Sequence, residues 1–120
     1  MSAITNEEQD AINRACIVVH DNSRVHGFWD GVDVNDLNVV LAKLALIHSE
    51  VSEAVEDARV RDIGDLYYEG EKPCGFGSEL ADIVIRVMDL ARAAGIDLGR
   101  LIAEKHAHNM TRPRHHGKRA

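Results

Sequence analysis

Aromatic side chains are scarce, at 4% of the 120 residues, while aliphatic ones are plentiful. That balance suits a helical bundle better than a β-sandwich. Only two cysteines occur, Cys16 and Cys74, far apart and in no C-x-x-C arrangement, which argues against a zinc site and a disulfide framework. No apolar run approaches the ~18 residues that would cross a bilayer. The opening residues, Met1 to Glu8, lack the basic and apolar regions of a signal peptide. A cytoplasmic protein with no membrane partner is therefore expected. An excess of positive charge is missing too. The net charge is −6, and it becomes −10 once Arg112, Arg114, Lys118 and Arg119 of the C-terminal stretch are set aside. An acidic body argues against duplex nucleic acid as a partner and fits a protein that needs cations. At this length we expect one domain, residues 1–112, with 113–120 as a basic tail. Such a domain should bury roughly two thirds of its unfolded surface.

What the chain does have is two stretches with paired carboxylates. Leu44 to Glu53 ends in Glu50 and Glu53, and Ser78 to Met88 contains Glu79 and Asp82. Residues three apart share a helix face, so each pair points one way. If the two helices lie side by side, four carboxylates converge. Two like charges ~6 Å apart at an effective dielectric of ~20 repel by roughly 3 kcal/mol, so such a cluster calls for compensation. Oxygen-only ligands suit a hard divalent cation, magnesium first, with manganese as a substitute. The competing reading is plain: charged residues at helical spacing usually form a solvated face, and Glu79, Asp82, Arg86, Asp89 fit that description. Against it, Leu80, Ala81, Ile83, Val84, Ile85, Val87, Met88, Leu90 and Ala91 cover nearly every other direction of the helix. A helix apolar almost all round is buried in a core or at a subunit interface, and its polar stripe then faces a cleft.

The remaining elements follow from their punctuation. Thr5 to Glu8 has the form of a capping box and starts a helix that should reach about His20. Asp21 to Gly31, with the only tryptophan, Trp29, reads as a connection. Asn35 or Asp36 caps a second helix to about Asp62, with Leu37, Val40, Leu41, Leu44, Ile47, Val51, Val55 and Ala58 as its core stripe. Residues 63–77 read as a long Gly-rich link without strands. The third helix runs from about Ser78 to Ala94, and Asp97 caps a fourth that ends before Pro113. The expected fold is an all-α, four-helix domain whose two central helices carry the acidic motifs.

Glu50-x-x-Glu53 followed by Glu79-x-x-Asp82 resembles the MazG-like all-α nucleoside triphosphate pyrophosphohydrolases, in their phage-type and small bacterial branch. The likeness extends to Phe76 to Asp82, to Gly95 to Leu98, and to Lys105-x-x-x-Asn109-x-x-Arg112-Pro113-x-x-His116-Gly117-Lys118. It implies a MazG-like bundle assembled as a homodimer or homotetramer. It also implies magnesium-dependent cleavage of a (deoxy)nucleoside triphosphate between the α and β phosphates. Carried over residue by residue, Glu50, Glu53, Glu79 and Asp82 are metal ligands. Lys105 and Asn109 contact phosphate or sugar, and His20 and Trp29 contact the base. The family motif has a further glutamate where this chain has Ser49, which is neither a strong ligand nor a base.

The chemistry itself asks for cations near the phosphates and for a carboxylate that can take a proton from water. Glu53 is the candidate base, and Lys105 and Arg112 are candidate phosphate contacts. Trp29 could stack on a base or anchor its loop on the core. His48 reads as packing or support beside the acidic motif, and Cys16 as core. Two other readings compete. One is a di-iron carboxylate bundle, which would need E-x-x-H pairs that are absent here. The other is a non-catalytic helical dimerisation or regulatory module.

Overall fold

Thr5 opens the first helix by exchange with Glu8. The Glu8 backbone N–H donates to Thr5 Oγ1 (3.1 Å) and the Thr5 N–H donates to Glu8 Oε1 (2.9 Å). In this computed structural model, which describes residues 1–120, that helix is α1, Asn6–Val25. Asp36 caps α2, Leu37–Val60, by accepting from the Asn38 N–H. A two-stranded antiparallel hairpin follows, β1 (Tyr67–Glu69) and β2 (Lys72–Cys74), then α3 (Phe76–Ala93) and α4 (Leu98–Met110). A short 3-10 turn, Arg114–Gly117, lies in the basic tail. The chain is thus mostly helical, as expected.

Three boundaries differ from expectation. α1 continues five residues beyond His20 because its last turns are held from outside: His20 and Ser23 both hydrogen-bond to Asp89 on α3. The link contains the hairpin, whose two-residue turn begins at Gly70 with φ +64°. A glycine at that place is a hairpin signal, but strands of three residues are too short to show alternation. α3 begins two residues early, after Gly75, whose φ of +113° only glycine adopts freely.

α3 is the hub. It packs against α2 on one side and α1 on another, with the hairpin at its start and α4 near its end. α4 lies mainly on α1, running antiparallel to it: Gly99 N–H donates to Asn13 Oδ1 (2.8 Å), while His106 Nε2 pairs with the Ser2 carbonyl (2.9 Å) at the other end. Asn13 also donates to Asp97 Oδ1 (2.8 Å), and with the Arg100 N–H this holds the Asp97 carboxyl below its ordinary pKa.

The core is thin. Cys16, Ala54, Cys74 and Ala91 are buried, and no large side chain is fully so. The accessible surface is 8857 Å², against about 6,400 Å² for a compact chain of this mass, so folding covers a little over half of the unfolded surface rather than two thirds. The radius of gyration, 16.6 Å, likewise exceeds the about 14 Å of a closed domain. The expected core stripe of α2 divides in two. Val40, Ile47 and Ala54 turn inward on the same row as Glu50, while Leu37, Leu41, Leu44, Val51 and Val55 stay exposed. The two rows are one residue out of step, hence about 100° apart on the helix, and only one can face α3.

Gly99 marks where α4 sits closest to α1, since a Cβ there would collide with the Gln9 carbonyl. Gly99→Ala should destabilise the protein by about 1–3 kcal/mol, read as a lowered denaturation midpoint. Gly77→Ala, with open space around it, is the control expected to leave the midpoint nearly unchanged.

Candidate metal and phosphate site

Glu50 of α2 meets Arg86 of α3, and Glu53 meets Glu79, an antiparallel register that stacks the two acidic pairs against each other. Oxygens of Glu50, Glu53 and Glu79 all lie within 4.8 Å of one another. Glu50 is buried, Glu79 half-buried and Glu53 exposed. Arg86 Nε donates to Glu50 Oε1 at 2.9 Å, the one cationic contact inside the group. The opposite oxygen, Glu50 Oε2, and Glu79 Oε2 are buried and have no hydrogen-bond partner. Buried carboxylate oxygens left unpaired are costly, and a proton or a cation would satisfy them.

The charge balance favours a proton on the group. Burial first, then the Glu53 carboxylate and its hydrogen bond, then Asp82 and Glu50, push Glu79 up to a pKa of about 7. Asp82 is raised as well, by burial and Glu50, with Arg86 and Lys72 pulling the other way. The structure brings three of the four expected ligands into one group. Asp82 stands beside it, in the wall of the adjoining cavity. Ser49 contributes nothing to the group: its hydroxyl donates to the Leu46 carbonyl of its own helix (2.7 Å). By donor chemistry the three glutamates fit a hard divalent cation.

From this group a cavity of about 410 Å³ runs between α1, α2 and α3. Asp82, Arg86 and Asp89 line its α3 side, so the stripe that could have been a solvated face borders a cleft instead. Lys43, Phe28, Val18, Val19 and Asn22 line the other walls.

At the far end Asp89 gathers three donors. It takes His20 Nδ1 at 2.7 Å, Ser23 Oγ at 2.8 Å, and Trp29 Nε1 at 3.0 Å and 3.1 Å to its two oxygens. The His20 and Trp29 rings meet edge to face, 5.5 Å between centroids. Lys43 Nζ lies 4.2 Å over the Trp29 ring and donates to the Phe28 carbonyl (3.0 Å). No family, curated protein or solved structure matches this chain.

Lys105, Asn109 and Arg112 are not brought to this place. Lys105 and Asn109 are exposed on α4, and Arg112 donates to the His116 carbonyl (3.2 Å). None of the three lines the cavity or joins the carboxylate group. Sequence reasoning passed over Arg86, Asp89 and Lys43 as site residues. The signal for the first two was their spacing, which continues the row of Glu79 and Asp82.

Glu79 makes stability depend on pH. Its folded pKa of about 7 lies above the ordinary 4.5, so its favourable contribution is complete below pH 4.5 and is lost as the pH rises through 7. The difference is at most about 3 kcal/mol. Denaturant titrations in chelator at pH 5 and pH 8 should show the wild type weaker at pH 8. Glu79→Gln should narrow that gap.

Proposed function

We propose that the chain is a magnesium-dependent nucleotide pyrophosphohydrolase that converts a (deoxy)nucleoside triphosphate to the monophosphate and pyrophosphate. The observation that carries this reading is the pair of partnerless, buried oxygens on Glu50 and Glu79, within a three-carboxylate group that opens onto a nucleotide-sized cavity. The resemblance of the two acidic motifs supports it.

Glu50, Glu53 and Glu79 would hold the ion, with Asp82 on the cavity side. Bound there, magnesium would neutralise phosphate charge and lower the pKa of a water. The protein's own groups supply the rest. Glu53, the exposed member, takes the proton of the attacking water. The water oxygen bonds to phosphorus as the bridging P–O bond between the α and β phosphates breaks, and the leaving phosphate keeps that electron pair. Arg86, fixed through Nε by Glu50, has its remaining N–H groups for phosphate oxygens, and Lys43 adds a second positive charge. The nucleoside lies towards Phe28, Val18 and Val19, with the Asn22 amide available to a base edge. In this reading His20 and Trp29 act by fixing Asp89 and shaping the wall. Lys105, Asn109 and Arg112 would reach the substrate of a neighbouring subunit in a dimer or tetramer.

A second reading, a non-catalytic helical dimerisation module, is favoured by the amount of apolar surface left uncovered. The two part on magnesium. Incubation with a panel of nucleoside triphosphates and magnesium should release pyrophosphate, and Glu53→Gln should slow release by at least about 100-fold. Magnesium at ~100 times its dissociation constant should stabilise the fold by roughly 2.7 kcal/mol. No pyrophosphate from any nucleotide, together with a melting temperature that magnesium leaves unmoved, would establish the second reading.

A further inference from the structure

Four hydrogen bonds at the far end of the cavity fix the direction of one hydroxyl. The Trp29 indole N–H can only donate, and it does so to both oxygens of Asp89, at 3.0 Å and 3.1 Å. Asp89 is therefore an acceptor on each side. Its Oδ1 also takes His20 Nδ1, and its Oδ2 takes the Ser23 hydroxyl at 2.8 Å. Each oxygen thus receives two contacts, the full complement of a carboxylate. The single hydrogen of Ser23 is engaged as well, so what its Oγ has left is lone pairs.

Ser23 lines the cavity beside Asp89. The other polar groups of this end do not separate donors from acceptors. Asn22 carries both in one carboxamide, which turns over to suit either. Lys43 donates to the Phe28 carbonyl, and its charge suits phosphate. Ser23 is the side chain here whose polarity is set in advance. We propose that Ser23, held by Asp89, makes the cavity select nucleotides whose base carries an exocyclic amino group, cytosine or adenine, over those with oxygen at the same ring position, uracil or hypoxanthine. The inference rests on reading the cavity as the nucleotide site. An amino group donates to the Ser23 lone pairs. A carbonyl oxygen there sets lone pair against lone pair and leaves the acceptor unpaired, which is what makes such a mismatch costly. The ring N–H of uracil is no remedy, because it lies recessed between two oxygens. Asp89 is a positioning residue that acts through Ser23.

Calorimetric titration with cytidine, uridine, adenosine and inosine monophosphates in magnesium reads the selection directly. Pyrophosphate release from the corresponding triphosphates reads it under turnover. Each amino nucleotide should be favoured over its oxygen counterpart by at least about tenfold. Ser23→Ala should bring both ratios to within about twofold of one, whereas damage to the fold would weaken all the nucleotides alike. Asp89→Asn goes further. Its carboxamide oxygen stays with Trp29 and His20, whose N–H groups exclude the amide nitrogen from that side, and its NH2 then donates to Ser23. The hydroxyl hydrogen is released towards the cavity, and the preference should shift to uridine and inosine. Selective binding without pyrophosphate release would uphold this inference and sink the hydrolase reading; release at equal efficiency within each pair would do the reverse. No binding of any of the nucleotides, or a Ser23→Ala protein that keeps the wild-type ratios, overturns the proposal, as does a folded Asp89→Asn protein with the wild-type preference.

Discussion

Three carboxylates and one guanidinium share the space between α2 and α3, and that imbalance governs much of the rest. Arg86 answers one oxygen of Glu50; two other buried oxygens stay unanswered, and Glu79 is driven towards its neutral form. A fold does not gather like charges in this way without a return, because every neighbour raises the free energy of the ionised state. The apolar flanks of α3 hold the group together by packing against α1 and α2 at once. The helix interface therefore supplies the energy, and the acidic row is where that energy is stored as electrostatic tension.

How far this could be read from residues alone depended on distance along the chain. Caps were legible, since Thr5, Asp36 and Asp97 act on backbone N–H groups two or three residues away. The acidic pairs were legible because spacing of three fixes a shared helix face. The meeting of Glu53 with Glu79 was an inference from two faces, and the antiparallel register of α2 and α3 supplies what spacing could not. Asp89 was not legible at all: its role arises from His20, Ser23 and Trp29, between 60 and 69 residues away in sequence. The extra turns of α1 escaped for the same reason, because asparagine, serine and aspartate there suggest a loop until the tertiary partners are known. The placement of Lys105, Asn109 and Arg112 escaped too, since α4 returns along α1 towards the chain's start and away from the carboxylates.

The thin core and the wide cleft are two sides of one arrangement. α3 touches every other helix, yet α1 and α2 spread apart enough to leave a cavity between them. α2 lends one row to α3 and shows another outward.

The sole indole of the chain stands at the end of that cleft, with a lysine over its face and a carboxylate at its nitrogen. Both of these companions, Lys43 and Asp89, also border the cavity. Indole emission shifts with nearby charge, so a molecule entering the cleft would perturb an optical signal with no competing tryptophan. The protein carries its own fluorescent gauge of occupancy, reading this end of the cavity separately from events at the acidic end.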